Sequence, residues 1–299
     1  MQVHDVDLRL LRIFVAIVEC GGLSAAESRL NIGRSTISSH LSDLEVRLGI
    51  KLCKRGRSGF EITESGRVTY QASLELLQQC EAFASTVASS KNELSGRVTI
   101  ATIDTLVNDP RCGVARVISA LKAKGDNLQF DINVCEAREV ETSVANGRSL
   151  VGIGVSRHHL RGLDYYPLHN ETNYLYCGQG HPLFDCKPSS VNKLLEAAEM
   201  ITSNYMRDKE VRNDGLNYQN SATAYHDEGI AHLILSGAFI GYLPEHYANY
   251  WLDKGLFKSI LPEKYSYQIP IMLISTKNNI VSPLANALIE EIKRCHSFG

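Results

Sequence analysis

Apolar residues near the amino terminus recur at helical spacing, and each run predicts one element. Leu8, Leu11, Val15 and Val18 lie three, four and three residues apart and predict a first helix. Ser24 and Glu27 are spaced as a capping box, which predicts a short second helix from Ala25. That helix ends where Asn31, Ile32 and Gly33 follow Leu30, since Asn and Gly tolerate the left-handed backbone of a tight turn. Ile37, Leu41, Leu44 and Leu48 repeat at four, three and four, predicting a third helix over about Ser35 to Leu48. Its opposite face carries Arg34, Ser35, Ser38, Ser39, Ser42 and Arg47, all able to hydrogen-bond bases or phosphates. The run from Lys51 to Ile62, with Gly56-Arg57-Ser58-Gly59 at its middle, predicts a β-hairpin with a basic tip. Three helices followed by such a hairpin make a winged helix-turn-helix over residues 1–62. The expected DNA contacts are Arg34, Ser35, Ser38 and Ser39 on the third helix and Arg55 and Arg57 on the wing.

Thr63 is placed to cap a helix running to about Ser90 without a proline. Tyr70, Leu74, Leu77, Cys80, Ala84 and Val87 recur at steps of four or three residues along it, with Leu76 and Phe83 beside them. Such a stripe needs a partner, either a second copy of the helix or the body of the same chain. Lys91 to Gly96 reads as a hinge, and beyond it the period changes. Strands are predicted at Val98–Ala101, Phe130–Val134, Leu150–Val155, Leu175–Cys177, Met200–Thr202, Phe239–Leu243 and Ile271–Ser275. Helices are predicted at Val114–Ala123, Glu139–Ala145, Val191–Ala197, Gly229–Leu235 and Pro283 to about Cys295. The alternation gives an α/β class with a largely parallel sheet covered by helices.

Charge sharpens this picture. Residues 1–60 hold nine Lys or Arg against six Asp or Glu, whereas the remainder holds 22 against 27. A near-neutral chain thus has a basic head, the feature that attracts a polyanion. At 299 residues, two or three compact units are expected. No stretch approaches the ~20 apolar residues needed to span a bilayer, so a soluble cytoplasmic protein without a membrane partner is expected. Eight cysteines show no metal spacing and are expected to be reduced, mostly as core fillers. His158-His159 beside Arg157 and Arg161 reads as a solvated loop rather than a metal site. No P-loop, HExxH or GxSxG is present, and the GxG fragments at Gly152 and Gly178 do not continue into a dinucleotide fingerprint. The chain is therefore expected to be no enzyme and to need no cofactor or metal.

GLSAAESRL, ISSHLSDLE, RLGIKL, RGRSGFEIT and ESG resemble the amino-terminal signature of LysR-type transcriptional regulators. The length, the His181-Pro182-Leu183 motif and Gly241-Tyr242-Leu243-Pro244 fit the same family. The resemblance implies that residues 63–91 form a linker helix pairing with a second subunit. It further implies that residues 92–299 form a two-lobed α/β effector domain resembling type 2 periplasmic-binding proteins. Lobe I would span about 96–165 and 268–299, lobe II about 166–267, with crossings near Tyr166 and Tyr267. Ligands of open α/β sheets sit beyond the carboxyl ends of the strands. This places a small-molecule effector against Thr102, Asp104 and Thr105 on one side and Ser203 and Tyr205 on the other, with the loop after Val155 approaching from the side. Asp104 would favour a cationic or hydroxyl-rich effector over a carboxylate.

The implied partners are double-stranded DNA at an interrupted palindromic promoter site, a second copy as homodimer or tetramer, and RNA polymerase. Two rivals remain open: a thiol-switched regulator of the same fold using Cys177 and Cys186, and a cytoplasmic solute-binding protein. One departure from the family stands out, because Gly33-Arg34 occupies the position where Ser-Gln is usual. Glycine can still cap the helix, whereas arginine in place of glutamine favours guanine over adenine at the facing base.

Overall fold

The structure, a computed structural model, describes residues 4–56, 59–89, 94–156, 159–203, 219–277 and 282–296. Helices α1 (Asp5–Glu19), α2 (Leu23–Leu30) and α3 (Arg34–Leu48) pack around Phe14, Ile17, Ile37, Leu41, Leu44 and Leu52, all fully buried. The anticipated face of α3 is the buried one. In α1 the anticipated stripe is too narrow: Leu10, Ile13 and Phe14 are buried beside Leu11 and Val15, because α2, α3 and α4 all pack on this helix.

Helix α2 starts two residues earlier than the capping-box spacing suggests. The chain leaves α1 through Gly21 and Gly22, the Gly22 N–H donates to the Ile17 carbonyl at 2.9 Å, and the Gly22 carbonyl already accepts the Ala26 N–H at 3.2 Å. Gly22 is therefore the N-cap, and Ser24 lies inside the first turn. Asn31, at φ 52°, ends α2 in the left-handed region as anticipated.

Strands β1 (Cys53–Gly56) and β2 (Gly59–Ile62) form an antiparallel hairpin, with Cys53 opposite Ile62 and Gly56 opposite Gly59. Its tip, Arg57 and Ser58, lies outside the described residues. Thr63 then does two things at once. Its N–H donates to the Leu52 carbonyl at 3.0 Å, and its hydroxyl accepts the Gly66 N–H at 2.9 Å, capping α4 (Glu64–Ser89). The first turn of α4 lies so close to the wing that a Cβ on Gly66 would stand 2.1 Å from the Leu52 carbonyl oxygen. Tyr70 and Leu76 pack on the head core and Leu74 is buried, so the first half of the apolar stripe closes on its own head. Farther along, Phe83 and Val87 remain exposed, at 72% and 50%.

After Gly96 the chain enters a second compact unit. In order it holds β3 (Gly96–Thr102), α5 (Val114–Lys122), β4 (Leu128–Val134), α6 (Ala137–Ala145), β5 (Val151–Gly154) and β6 (Leu163–Gly178). There follow α7 (Val191–Glu196), β7 (Glu199–Ser203), β8 (Gln219–Ala224), α8 (Asp227–Leu235), β9 (Ile240–Pro244), α9 (Glu245–Asp253), β10 (Phe257–Ser259), β11 (Ser266–Thr276) and α10 (Pro283–His296). Among the described residues nine strands join in one sheet, ordered β4-β3-β5-β11-β6-β9-β7-β8, with β10 also on β6.

The sheet is parallel toward its ends, at β3–β5 and at β7 with β8 and β9, but its centre is not. There β6 and β11 run antiparallel over their length, from Leu163 opposite Thr276 to Tyr174 opposite Ser266. The chain crosses the sheet once in each direction, so these two strands must oppose one another. Tyr166 and Tyr267 both lie on them. Alternation along the strands sends Leu175, Cys177, Met200 and Tyr242 to one core and Tyr176, Ile201 and Leu243 to the other, so helices cover both faces. Among the described residues no helix is long and apolar enough to cross a membrane.

Replacing Gly66 with Ala forces a Cβ against the backbone of Leu52. The expected loss is ~1–3 kcal/mol, confined to the head and read as a lowered thermal midpoint for that unit alone. A midpoint equal to that of the parent chain would show that α4 and the wing are not held this close.

Candidate functional site

Two buried acidic residues fix α3 in the head. Glu45 is 3% exposed, and its carboxylate accepts the backbone N–H groups of Leu52 and Cys53 at 2.9 and 3.3 Å and the Lys51 ammonium at 2.8 Å. That carboxylate ties the carboxyl end of α3 to the start of the wing. Asp7 on α1 is buried and accepts the Arg47 guanidinium through both oxygens, the Nη2 contact being 3.0 Å, together with the His4 N–H at 2.8 Å. The Arg47 hydrogen bond is the main reason that the Asp7 carboxyl is lowered to about 2. Arg47 is thus spent on α1 rather than offered to a ligand. Ser42 is spent as well, donating to the Ser38 carbonyl at 3.0 Å.

What remains on the outer side of α3 is its first half. Arg34, Ser35 and Ser39 are exposed and Ser38 is half-buried. Arg55 lies in β1 with its side chain outside the description, and Arg57 lies outside the described residues. The surface can accept a rigid rod against one helix, with a guanidinium and hydroxyls directed outward.

The second unit contains a small, partly open cavity lined by Ile103, Asp104, Val155, Glu171, Asn173, Asp227, Ile230, Tyr242, Pro244, Tyr267 and Ile269. Asp104 follows β3 as anticipated and Val155 follows β5. Asp104 Oδ2 accepts the Asp227 N–H at 2.9 Å, capping α8, and the Thr105 hydroxyl donates to Asp227 Oδ2 at 3.3 Å. Thr102 is not in the lining; it is buried, and its hydroxyl donates to the Ile103 carbonyl at 3.2 Å. Ser203 ends β7 with its side chain outside the description, and Tyr205 lies outside the described residues. Glu171, Asn173 and Asp227 went unread in the sequence. For the first two, the usable signal was the polar run Asn170-Glu171-Thr172-Asn173 just before an apolar strand segment.

The chemistry of this cavity is acidic. Burial raises the Asp104 carboxyl above the ordinary carboxylate range, although the Asp227 N–H and nearby His226 pull it down. Burial, then Asp104 and Glu171, raises Asp227 well above that range.

Comparison with known proteins decides what carries these two sites. The family profile "Bacterial regulatory helix-turn-helix protein, lysR family" matches residues 8–67, and "LysR substrate binding domain" matches residues 91–295. The HTH-type transcriptional activator BauR of Pseudomonas aeruginosa is 40% identical over 293 residues, spanning 97% of this chain and 96% of BauR. The chain belongs to the family of LysR-type transcriptional regulators. Its fold is shared by CbnR, solved with its target DNA, at a TM-score of 0.65 and 18% identity, covering 97% of this chain and 99% of that one. LysG from Corynebacterium glutamicum, solved with arginine as bound effector, matches at a TM-score of 0.59 and 18% identity, covering 98% of each chain.

In this LysR-type regulator the acidic cavity adjoins a second polar cluster on the crossing strand β6. Glu171 Oε2 accepts from His246 Nε2 at 3.0 Å, and Asp109 accepts from His169 Nε2 at 3.0 Å and twice from the Arg111 side chain, at 2.8 and 2.9 Å. Although burial opposes it, the His169 and Arg111 hydrogen bonds hold the Asp109 carboxyl far below the usual range. Among the described residues no group of His, Cys, Asp and Glu is arranged to hold a metal ion. Of the His158-His159 pair only His159 is described, stacked on Tyr165 at 4.0 Å.

The Asp104–Asp227 pair predicts a pH dependence. Both carboxyls titrate above their unfolded value of ~4, so the folded unit binds more protons than the unfolded chain in the window between. Its stability is therefore greatest where both are protonated and falls as pH rises through their raised values. Asp227→Asn removes one ionisation and should raise the thermal midpoint of this unit at neutral pH, with the difference closing in acid. A lower midpoint at neutral pH would mean that the two carboxyls do not repel.

Proposed function

We propose that this LysR-type regulator reads DNA through the first half of α3 and the wing, and that a small molecule held in the cavity of its second unit controls it. The observation that carries this reading is the pose of α3, with Arg34, Ser35 and Ser39 exposed while Ile37, Leu41 and Leu44 are buried and Glu45 and Arg47 anchor the far end. A helix held that way can enter a major groove without reordering. Ser38 would contact the same groove, and Arg55 and Arg57 would hold phosphates or the minor groove. In the cavity, Asp104 would face the effector directly, and Thr102, Thr105, Ser203 and Tyr205 are the further effector contacts of this reading. The full-length likeness to an activator supports activation, with RNA polymerase as a further partner.

The division of labour proposed is residues 1–62 for DNA, 63–91 for self-association and 92–299 for the effector. Residues 96–165 and 268–299 would form one lobe and 166–267 the other. Phe83, Ala84 and Val87 form the open part of the α4 stripe, since Tyr70 and Leu76 pack against the head and Leu74 is buried. A second copy of α4 would cover them in a homodimer or a tetramer, and two heads would then meet an interrupted palindrome.

A thiol switch at Cys177 and Cys186 is less well supported. Cys177 is fully buried, its Sγ lies 3.7 Å from the Lys258 carbonyl oxygen, and burial is the main cause that pushes its thiol up to about 12. A thiol that stays protonated at neutral pH is a poor nucleophile toward peroxide.

The DNA reading is tested by selecting sites from random duplexes. Arg34 should specify guanine in each half-site, and Arg34→Gln should relax that preference by ~1–3 kcal/mol while leaving the salt dependence of affinity almost unchanged. An identical preferred base for both proteins would place Arg34 on a phosphate instead.

Self-association is tested on α4. Phe83→Glu with Val87→Glu puts carboxylates where an apolar seam would close, and burying unpaired charge is strongly unfavourable. The mass by light scattering should fall to that of one chain, and affinity for a two-half-site duplex should fall with it. An oligomer that survives both changes is built elsewhere.

A further inference from the structure

The cavity discriminates by charge. Three carboxyl groups face it, from Asp104, Asp227 and Glu171, and no lysine, arginine or histidine is among the described residues that line it. The hydrogen bonds already in place engage one oxygen each of Asp104 and Asp227, whose Oδ2 atoms accept the Asp227 N–H and the Thr105 hydroxyl. Glu171 is 3% exposed and accepts from Asn173 Nδ2 at 3.1 Å and from His246. Asn173 is itself only 4% exposed, and among the described residues its Oδ1 meets no donor. An acceptor in a cavity wall that meets no donor among the described residues is open to a donor from outside.

The rest of the wall agrees in sign. Tyr242 and Tyr267 both line the cavity, their ring centroids 5.2 Å apart at 58°, and the face of a phenol ring attracts a cation. Ile103, Val155 and Ile269 make the remaining surface apolar. An ammonium group has three N–H donors and no acceptor, the complement of a wall that presents acceptors.

We propose that the cavity binds a compact ammonium-bearing molecule, its cation held by Asp104, Asp227 and Glu171, with an N–H donated to Asn173 Oδ1 and the organic part against the two tyrosines. This rests on the effector reading above and assigns its chemical class. Entry of the cation displaces a proton from the carboxyl pair, whose ionisation burial and mutual repulsion hold back in the empty cavity. Affinity therefore rises with pH until both carboxyls are ionised. His226 also faces the pair, its Nδ1 lying 3.7 Å from Asp104 Oδ2. Tyr247, pushed up to about 12 by burial and by Glu228, Asp227 and Asp104, stays neutral throughout.

The test uses the full chain and three matched series, the unbranched primary amines, alcohols and carboxylates from methyl to pentyl. Thermal shift reports binding, and the isoleucine methyl resonances of Ile103, Ile230 and Ile269 report its place. At least one amine should bind, perturb those methyls and gain affinity with rising pH. The double variant Asp104→Asn, Asp227→Asn should weaken it by about tenfold or more. These substitutions preserve shape and relieve repulsion, so the variant should fold at least as well, which its thermal midpoint checks. Failure of every amine, or amine binding that the double variant leaves unchanged, overturns the proposal. Carboxylates or alcohols that bind better and perturb the same methyls overturn the cationic class but leave the cavity as the effector site. Binding that leaves all three isoleucines unperturbed overturns both.

Discussion

A carboxylate withdrawn from water must be met by donors or take up a proton, and this chain applies that constraint at both of its candidate sites. In the head the demand is met internally. Glu45 has two backbone N–H groups and an ammonium, and Asp7 has a guanidinium and a backbone N–H. Because each of these bonds joins α3 to another element, the charges that stabilise the head are also those that hold its outward face in one orientation. In the second unit Asp109 is met in the same way, by Arg111 and His169. Asp104 and Asp227 are the exception, since the nearest formal partner, His226, stands 3.7 Å from Asp104. Matched charge marks scaffold here, and incompletely matched charge marks the cavity.

Glu171 belongs to both categories. It lines the cavity and is gripped by Asn173 on its own strand and by His246 at the start of α9. Two residues earlier on β6, His169 holds Asp109, and Arg111 reaches the Asn170 carbonyl at 2.6 Å. The central strand is therefore pinned by polar contacts on either side of the cavity wall. A ligand changes the balance between two conformations only by its differential affinity for them. A charge arriving beside Glu171 acts on the bonds that fix β6, where such a difference can arise.

Much of the fold was legible because it follows from periodicity. The buried face of α3, the Thr63 cap of α4 and the fully buried β5 can be read from spacing and residue type alone. Where a stripe ends up is less legible. The same apolar period on α4 serves the head at Tyr70 and Leu76 and stands open at Phe83, and nothing local distinguishes the two. Strand β8, Gln219–Ala224, is built of small polar residues with weak strand preference, so the helix after it was read from Gly229 and its first residue, Asp227, was missed. Glu171 and Asn173 were missed because only the apolar end of the 16-residue β6 reads as a strand. The polar part is strand too, held by its pairing with β11, a long-range contact that local pattern does not carry.

The charge partition along the sequence now has a structural counterpart. The excess of Lys and Arg within residues 1–60 and the excess of Asp and Glu after them give the head and the rest of the chain opposite net charge. A polyanion is drawn to the head and repelled by the body, so the body does not compete for DNA with the surface that reads it. The acidic body, for its part, attracts cations, and low-dielectric walls of isoleucine, valine and proline concentrate that field where Asp104, Asp227 and Glu171 converge. An anionic effector would have to enter against both the local carboxyls and the net charge of the unit. A cation enters with them, and the same salt that screens the head from DNA would weaken its capture less, because a partly enclosed site is screened less than an exposed one.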